Sequence, residues 1–471
     1  MRLTNIVFLC AASAGAGAFA QADEVDVLIV GGGATGAYAA VRIREDFNKT
    51  VLVVEKTNRM GGHVHTYSSG NDRPVNYGVQ AYLNRQTTAD FFKRFDMDLI
   101  NPDLTDYIEL LLLTKNVDFE SGTSVDVDYG PVDPLGIPIA FLRYLALAIE
   151  YQPWFENGYF KTGDVPGDLL LPFGEFLEKH DLGASLGILR NLLWLSDALN
   201  TPTWFVMSVA GKPQIAAFGL GITGPSFKWP ETYSSETLFD RVLTFLGDDV
   251  LLQSTIASSQ RTDGGVIATI QTPTGQRTVQ AKRILFAATP SPDNTAPWDL
   301  DENETTLFNK FSWETLYVGV VNGTGLPTDV TGIRNSPDNS SAFYLPEGSF
   351  CDAFDRQGDR DLWSTRIIGE AGLSAKDAET LIIQSLTNID QAGTYDIATP
   401  AVVAFANHGS TVPKVSPEEL SAGFFNKLYA LQGQRSTYWT GLAWAPDYTP
   451  ILCKHHFSPF TNSRLSCFGM F

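Results

Sequence analysis

The sequence predicts an α/β protein: a Rossmann-type domain interrupted by an inserted α+β domain. Three observations carry that expectation. Residues 25–30 (VDVLIV) run straight into Gly31-Gly32-Gly33-Ala34-Thr35-Gly36 and then into a helix-compatible stretch, Ala37 to Glu45. A second short apolar run, residues 51–54, closes on Glu55, 19 residues after Gly36. Far downstream, residues 250–286 have the periodicity of a β-meander feeding a last buried strand.

The first run is short and β-branched, the composition of a strand buried in a parallel sheet. The six residues after it fit G-x-G-x-x-G at a strand-to-helix junction. Gly31 permits the tight turn, Gly33 lets a pyrophosphate approach the backbone, and Gly36 lets the helix pack close to the strand. The free N–H groups of the helix start, at Ala34, Thr35 and Gly36, then face the phosphates together with the positive dipole end. Glu55, at the tip of the second strand, is placed to accept hydrogen bonds from both hydroxyls of an adenosine ribose; it would repel a 2′-phosphate, which disfavours NADP. Strand, fingerprint, helix, strand and acid in this order predict dinucleotide binding. A glycine-rich hairpin turn, the competing reading, does not suit the helix-compatible residues 37–43. The glycine spacing alone does not separate FAD from NAD.

The chain has 471 residues, 44% of them hydrophobic and 18% charged, which supplies a large core and excludes a disordered chain or a coiled coil. Lys and Arg total 33 against 53 Asp and Glu, a net charge of −20 that argues against nucleic acid or an anionic membrane surface as partner. The N-terminus combines Arg2, an apolar run over residues 6–14 and the A-x-A site Ala18-Phe19-Ala20, so residues 1–20 read as a cleaved secretory signal and the product as secreted. That run is well under the roughly 20 residues needed to span a bilayer, and no other stretch qualifies as a stable span. Removing the signal leaves Cys351, Cys453 and Cys467, enough for one disulfide with no pair selected by spacing. Sequons at Asn48, Asn303, Asn322 and Asn339 suit a secreted glycoprotein.

After Glu55 the chain reads Lys56-Thr57-Asn58-Arg59-Met60-Gly61-Gly62-His63-Val64-His65, followed by Asn76-Tyr77-Gly78-Val79-Gln80. This resembles the R-x-G-G-R motif of the flavin-containing amine oxidoreductases, with His63 in the final Arg position. It is closer still to the fungal β-cyclopiazonate dehydrogenase-like branch, through the G-G-H-V variant and the N/D-Y-G-x-Q stretch. The resemblance covers most of residues 24–452. It implies FAD as the cofactor, bound by a Rossmann-type (GR2-like) domain, with Lys56, Arg59, Gly61, Gly62, His63, Tyr77 and Gly78 joining Gly31, Gly33, Ala34, Thr35, Gly36 and Glu55 at the cofactor. It also implies main-chain hydrogen bonds from Ile256 to the adenine. His63 replaces a fixed charge by a group that is mostly neutral at pH 7 when unperturbed; a covalent bond from it to the flavin is a second reading of that position.

On this reading residues 24–95, 230–295 and 400–452 form a discontinuous FAD-binding domain, and residues 96–229 and 296–399 form the substrate domain. The first insertion offers a β-like stretch at 107–127 and apolar helical segments at 138–151 and 174–200. The second offers a strand at 315–322 and a helix capped by Ser374 with Asp377. The resemblance implies a last strand and flavin-facing turn over 437–444, then an amphipathic helix. Pro459 and a Ser/Asn-rich stretch suit no such helix, so residues 453–471 read as an atypical tail, altered or mis-spliced after Leu452.

Other constellations carry less. Gly183-Ala184-Ser185-Leu186-Gly187 matches a hydrolase pattern but lacks the preceding strand that the nucleophile elbow requires. Cys453, His455, His456 and Cys467 fit no closed zinc spacing, and His63 with His65 has no third ligand nearby in sequence, so no metal is expected. The resemblance implies a secreted FAD-dependent oxidoreductase acting on a small molecule. It would oxidise a C–H next to nitrogen or dehydrogenate a secondary metabolite, with O₂ as acceptor. A flavin-dependent isomerase or desaturase on the same fold is the alternative, as is a non-catalytic flavin-binding protein with a defective C-terminus. The flavin does the hard chemistry, so no single catalytic side chain is singled out. Tyr438, Trp439 and Trp444 either wall an amine pocket or belong to the core.

Overall fold

The computed structural model describes residues 23–70, 72–101, 114–127, 136–156, 158–159, 161, 163–218, 227–338, 343–358 and 360–446. The signal segment 1–20, the tail 453–471 with Cys453 and Cys467, the sequon at Asn339 and the stretch 107–113 lie outside the described residues. Strand β1 (Asp23–Val30) pairs in parallel with β2 (Val51–Val54), and helix α1 (Ala34–Phe47) connects them. On its other side β1 pairs in parallel with the long strand Gly275–Phe286, while β2 pairs with Val250–Leu251. The meander Thr255–Thr262, Gly265–Thr272 and Gly275–Phe286 is antiparallel, and Thr437–Trp439 adds a parallel strand at the end of Gly275–Phe286.

Period-two alternation divides the buried strands between two layers. Val27, Ile29, Val51 and Val53 pack with α1 and the helix Glu236–Leu246, whereas Leu28, Leu52 and Val54 face a core shared with the meander. Each fully buried branched side chain of this kind contributes roughly 1.5–3 kcal/mol.

A second sheet runs in the order Ala401–Lys414, Ser312–Asn322, Leu362–Glu370, Phe350–Arg356, Gly332–Asn335, Thr114–Val117. The helix Ala375–Gln391 covers one face: Ile382, Leu386 and Ile389 pack with Tyr317, Val321, Trp363 and Ile367. Ser374 caps it, accepting from the Asp377 amide at 3.2 Å. The opposite face carries Val318, Val320 and Ala406, which pack against Val75 and Tyr77 from the first domain. That contact sets the second sheet against the loops that follow β2.

Two sequence expectations need correction. The strand Ala401–Lys414 is hydrogen-bonded along Ser312–Asn322, so the substrate sheet extends past residue 400 and the chain rejoins the first sheet only at Thr437–Trp439. Residues 174–200 form no continuous helical segment but a series of short pieces, among them Phe173–Lys179, Gly183–Ser185 and Leu186–Leu189. Ser185 is fully buried and donates to Leu182 O at 2.6 Å, so it is no exposed nucleophile. Trp439 and Trp444 are core residues, 1% and 0% exposed, stacked at 5.9 Å and flanked by Phe308. Cys351 is a free, buried thiol beside Thr365, and burial pushes its pKa up to about 12. Among the described residues no helix is long and apolar enough to cross a membrane.

Candidate functional site

Where β1 ends, Gly31 N donates to Val54 O at 2.9 Å and turns the chain into α1. Gly33 is the N-cap of α1 and brings no side-chain cap. The amides of Ala34, Thr35 and Gly36 have no acceptor within the helix, and the macrodipole adds positive potential at the same place. A Cβ on Gly36 would lie 1.9 Å from Gly31 O, so only glycine lets the helix start this close to the strand. The second glycine loop closes over the first: Gly61 N donates to Gly32 O at 2.9 Å, and a Cβ on Gly62 would lie 2.9 Å from the Gly33 Cα. Two backbones free of side chains thus enclose a donor-rich helix N-terminus, an arrangement suited to a diphosphate.

Glu55 is buried at the edge of this cradle. Its Oε2 accepts from Gly32 N at 2.7 Å, and its Oε1 accepts from the amide and hydroxyl of Thr57, both at 2.8 Å. A carboxylate has about four acceptor positions, so with three taken one is left for a ribose hydroxyl. Ser254 N donates to Glu55 O and Gln253 N to Thr57 O, which brings the start of the meander alongside the acid. Ile256 follows two residues later, in an edge strand opposite Ile270, with its side chain in the core. Lys56 is exposed beside the acid.

Arg59 folds back on its own loop, donating to Met60 O at 3.0 Å and Gly62 O at 2.9 Å, with Glu236 at 3.7 Å. It therefore braces the glycine loop. Burial raises the Glu236 pKa. Next in the chain, His63 and His65 run beside the Asn76–Gly78 stretch: Tyr77 N and Gly78 N donate to His65 O, and Val79 N to His63 O. A Cβ on Gly78 would sit 2.1 Å from His63 O, which explains that glycine. Asn76 ties the same stretch to the helix Glu236–Leu246, accepting from Ser235 N and donating to Tyr233 O. Arg59 Nη2 lies 2.7 Å from His65 Nε2. Burial first, then Arg59 and His63, lower the His65 pKa to about 3, and burial raises that of Tyr77.

Gly31 to Gly36, Glu55, Arg59 to His63, Tyr77 and Gly78 thus converge, with Lys56 exposed next to Glu55 and Ile256 two residues beyond Ser254 in the meander. Sequence reasoning missed His408, whose ring stacks on His63 with centroids 4.3 Å apart, and Glu236 beside Arg59. Both come from distant segments and carry no local motif. Among the described residues no group of three or more His, Cys, Asp or Glu side chains is arranged to hold a metal ion.

Comparison with known proteins agrees with this geometry. The NAD(P)-binding Rossmann-like domain family matches residues 29–95. The chain is 30% identical to β-cyclopiazonate dehydrogenase of Aspergillus flavus over 91% of its own length and 90% of that protein's. It is 31% identical to the FAD-dependent oxidoreductase pigF of Monascus ruber, covering 88% and 87%. Among solved structures, the fatty acid isomerase of P. acnes superposes with a TM-score of 0.72 at 18% identity, covering 93% of this chain and 99% of that one. Cyclohexylamine oxidase of Brevibacterium oxydans gives 0.60 at 16%, covering 92% and 96%. These two show the shared fold. The cradle and the relatives together identify the cofactor as FAD. The chain belongs to the family of FAD-dependent oxidoreductases that includes β-cyclopiazonate dehydrogenase.

Proposed function

We propose that this oxidoreductase removes two hydrogens from a small secondary metabolite, oxidising a C–H next to nitrogen or desaturating a neighbouring bond, with O₂ as electron acceptor. FAD, when bound, supplies the two-electron acceptance. The chain's own part is to bind, orient and exclude water. The uncapped start of α1 and the Gly61–Gly62 loop would hold the diphosphate, and Glu55 the ribose. The observation that carries the reading is the double glycine cradle over the start of α1, Gly61 N on Gly32 O and Gly62 against Gly33, in a chain whose relatives are FAD-dependent oxidoreductases.

The test is a panel of amines and indole alkaloids offered to purified enzyme. Substrate-dependent bleaching of the flavin without oxygen, and peroxide formation with it, are the outcomes expected. A product of unchanged mass with a shifted double bond and no peroxide would replace this reading by an isomerase. For the secretory route, the sequence supports export with cleavage after Ala20 or Ala22. N-terminal sequencing of protein recovered from the medium of a secretory host checks it, and retention of Met1 would refute it.

A further inference from the structure

The strand Ala401–Lys414 is bulged where it passes the cofactor loops. Thr315 pairs with Ser410 and Tyr317 with Asn407, so His408 and Gly409 together oppose Leu316 alone. Gly409 takes φ 72°, and its amide donates to Asn407 Oδ1 at 2.7 Å, which closes the bulge. Bulges re-aim side chains, and this one turns His408 from the second sheet toward the first domain. Its ring lies parallel to that of His63, at 4.3 Å and 2°, and 5.4 Å from that of His65. The His63 Nε2 lies 3.2 Å from the His408 carbonyl oxygen.

Both ring nitrogens of His408 are closed to water and have no hydrogen-bond partner. Burial first, then His63, His65 and Arg59, drive its pKa well below the usual histidine range, so the ring is neutral and carries one N–H donor and one acceptor. Leaving such groups unpaired costs about 1–3 kcal/mol each. A neutral imidazole held against a positive neighbour is a poor proton acceptor but a good fixed dipole. His63, its stacking partner, immediately follows the Gly61–Gly62 pair that closes over Gly33.

We propose that His408 is a cofactor-binding residue supplied by the second sheet, its unpaired ring nitrogens hydrogen-bonding the polar carbonyl and N–H edge of the flavin ring. The proposal rests on FAD being the cofactor. It makes FAD a joint ligand of both domains, with the bulge at His408–Gly409 as the device that delivers the imidazole.

The experiment compares wild type, His408→Ala, His408→Gln and, as a control distant in the chain, His180→Ala. Protein freed of FAD is titrated with FAD by fluorescence, and the visible flavin spectrum of each loaded protein is recorded. His408→Ala is expected to raise the FAD Kd about tenfold, the worth of roughly 1.4 kcal/mol, and to shift the flavin bands. His408→Gln, which keeps a donor and an acceptor, recovers most of the affinity, and His180→Ala changes neither reading. Removing the imidazole breaks no hydrogen bond of the cofactor-free protein but takes away a ring stacked on His63, so thermal melts of the cofactor-free proteins measure that packing loss apart from the loss of FAD affinity. A His408→Ala protein with wild-type Kd and an unchanged spectrum overturns the proposal. A wild type that takes up no FAD would instead overturn the cofactor assignment, a separate result.

Discussion

The Glu55 carboxylate is joined to the fingerprint loop directly: its Oε2 accepts from the Gly32 amide at 2.7 Å while its Oε1 holds Thr57. The acid therefore shapes the cradle itself, besides standing where a ribose would bind. Glu55→Gln keeps the volume but loses charge-assisted bonds, each worth about 1.5–3 kcal/mol. FAD affinity should fall by roughly ten- to a hundredfold, and the cofactor-free protein should also lose stability. Fluorescence titration with FAD and thermal unfolding of the cofactor-free protein measure the two effects apart.

Gly33 and Gly36 differ in what a methyl group would meet. At Gly36 it would lie 1.9 Å from Gly31 O, whereas at Gly33 its nearest neighbour is the Gly62 Cα at 3.7 Å. Gly36→Ala must push α1 off the strand and should cost several kcal/mol, beyond the roughly 1–3 kcal/mol of ordinary overpacking. Gly33→Ala should fold nearly as well as wild type yet purify without yellow colour, because its methyl enters the space that a diphosphate would use. Circular dichroism melts and the flavin-to-protein absorbance ratio check the pair.

The difference between what could and could not be read from the sequence follows from range. Val27 to Glu55 is a local unit: its strand, turn and helix signals lie side by side, and the structure reproduces them. The Gly61–Gly62 and Asn76–Gly78 stretches were legible through the family resemblance, which rests on short contiguous motifs. His408 was not, because its partner His63 lies 345 residues away and the bulge that turns it inward is set by pairing with Ser312–Asn322. The same pairing moved residues 401–414 out of the first domain. Nothing local in an apolar run says which sheet edge it will join.

Trp444 distinguishes pocket wall from core. It is fully buried, lies 5.9 Å from the Trp439 ring at 11°, and meets Phe308 edge-on. Trp444→Ala should destabilise the protein by about 3–5 kcal/mol, the usual cost of emptying an aromatic core site. The milder Trp444→Phe should lower the thermal midpoint while leaving the ratio of kcat/KM values between two substrates unchanged. A change in that ratio at constant stability would return the residue to the pocket.

His65 sets the direction of the pH dependence. Burial, Arg59 and His63 hold its pKa at about 3 in the folded chain, against 6.5 in an unfolded one. Between those values the unfolded state binds the extra proton, so stability is full above about pH 6.5 and declines as the pH falls toward 3. The slope is at most about 1.4 kcal/mol per pH unit for one such group. His408, depressed in the same sense, adds to it. Denaturant midpoints of the cofactor-free protein between pH 7 and 4 should fall on acidification, and His65→Gln should flatten that fall, because its amide takes up no proton in either state. Equal slopes in the two proteins would show that burial, Arg59 and His63 do not hold His65 neutral in the folded chain.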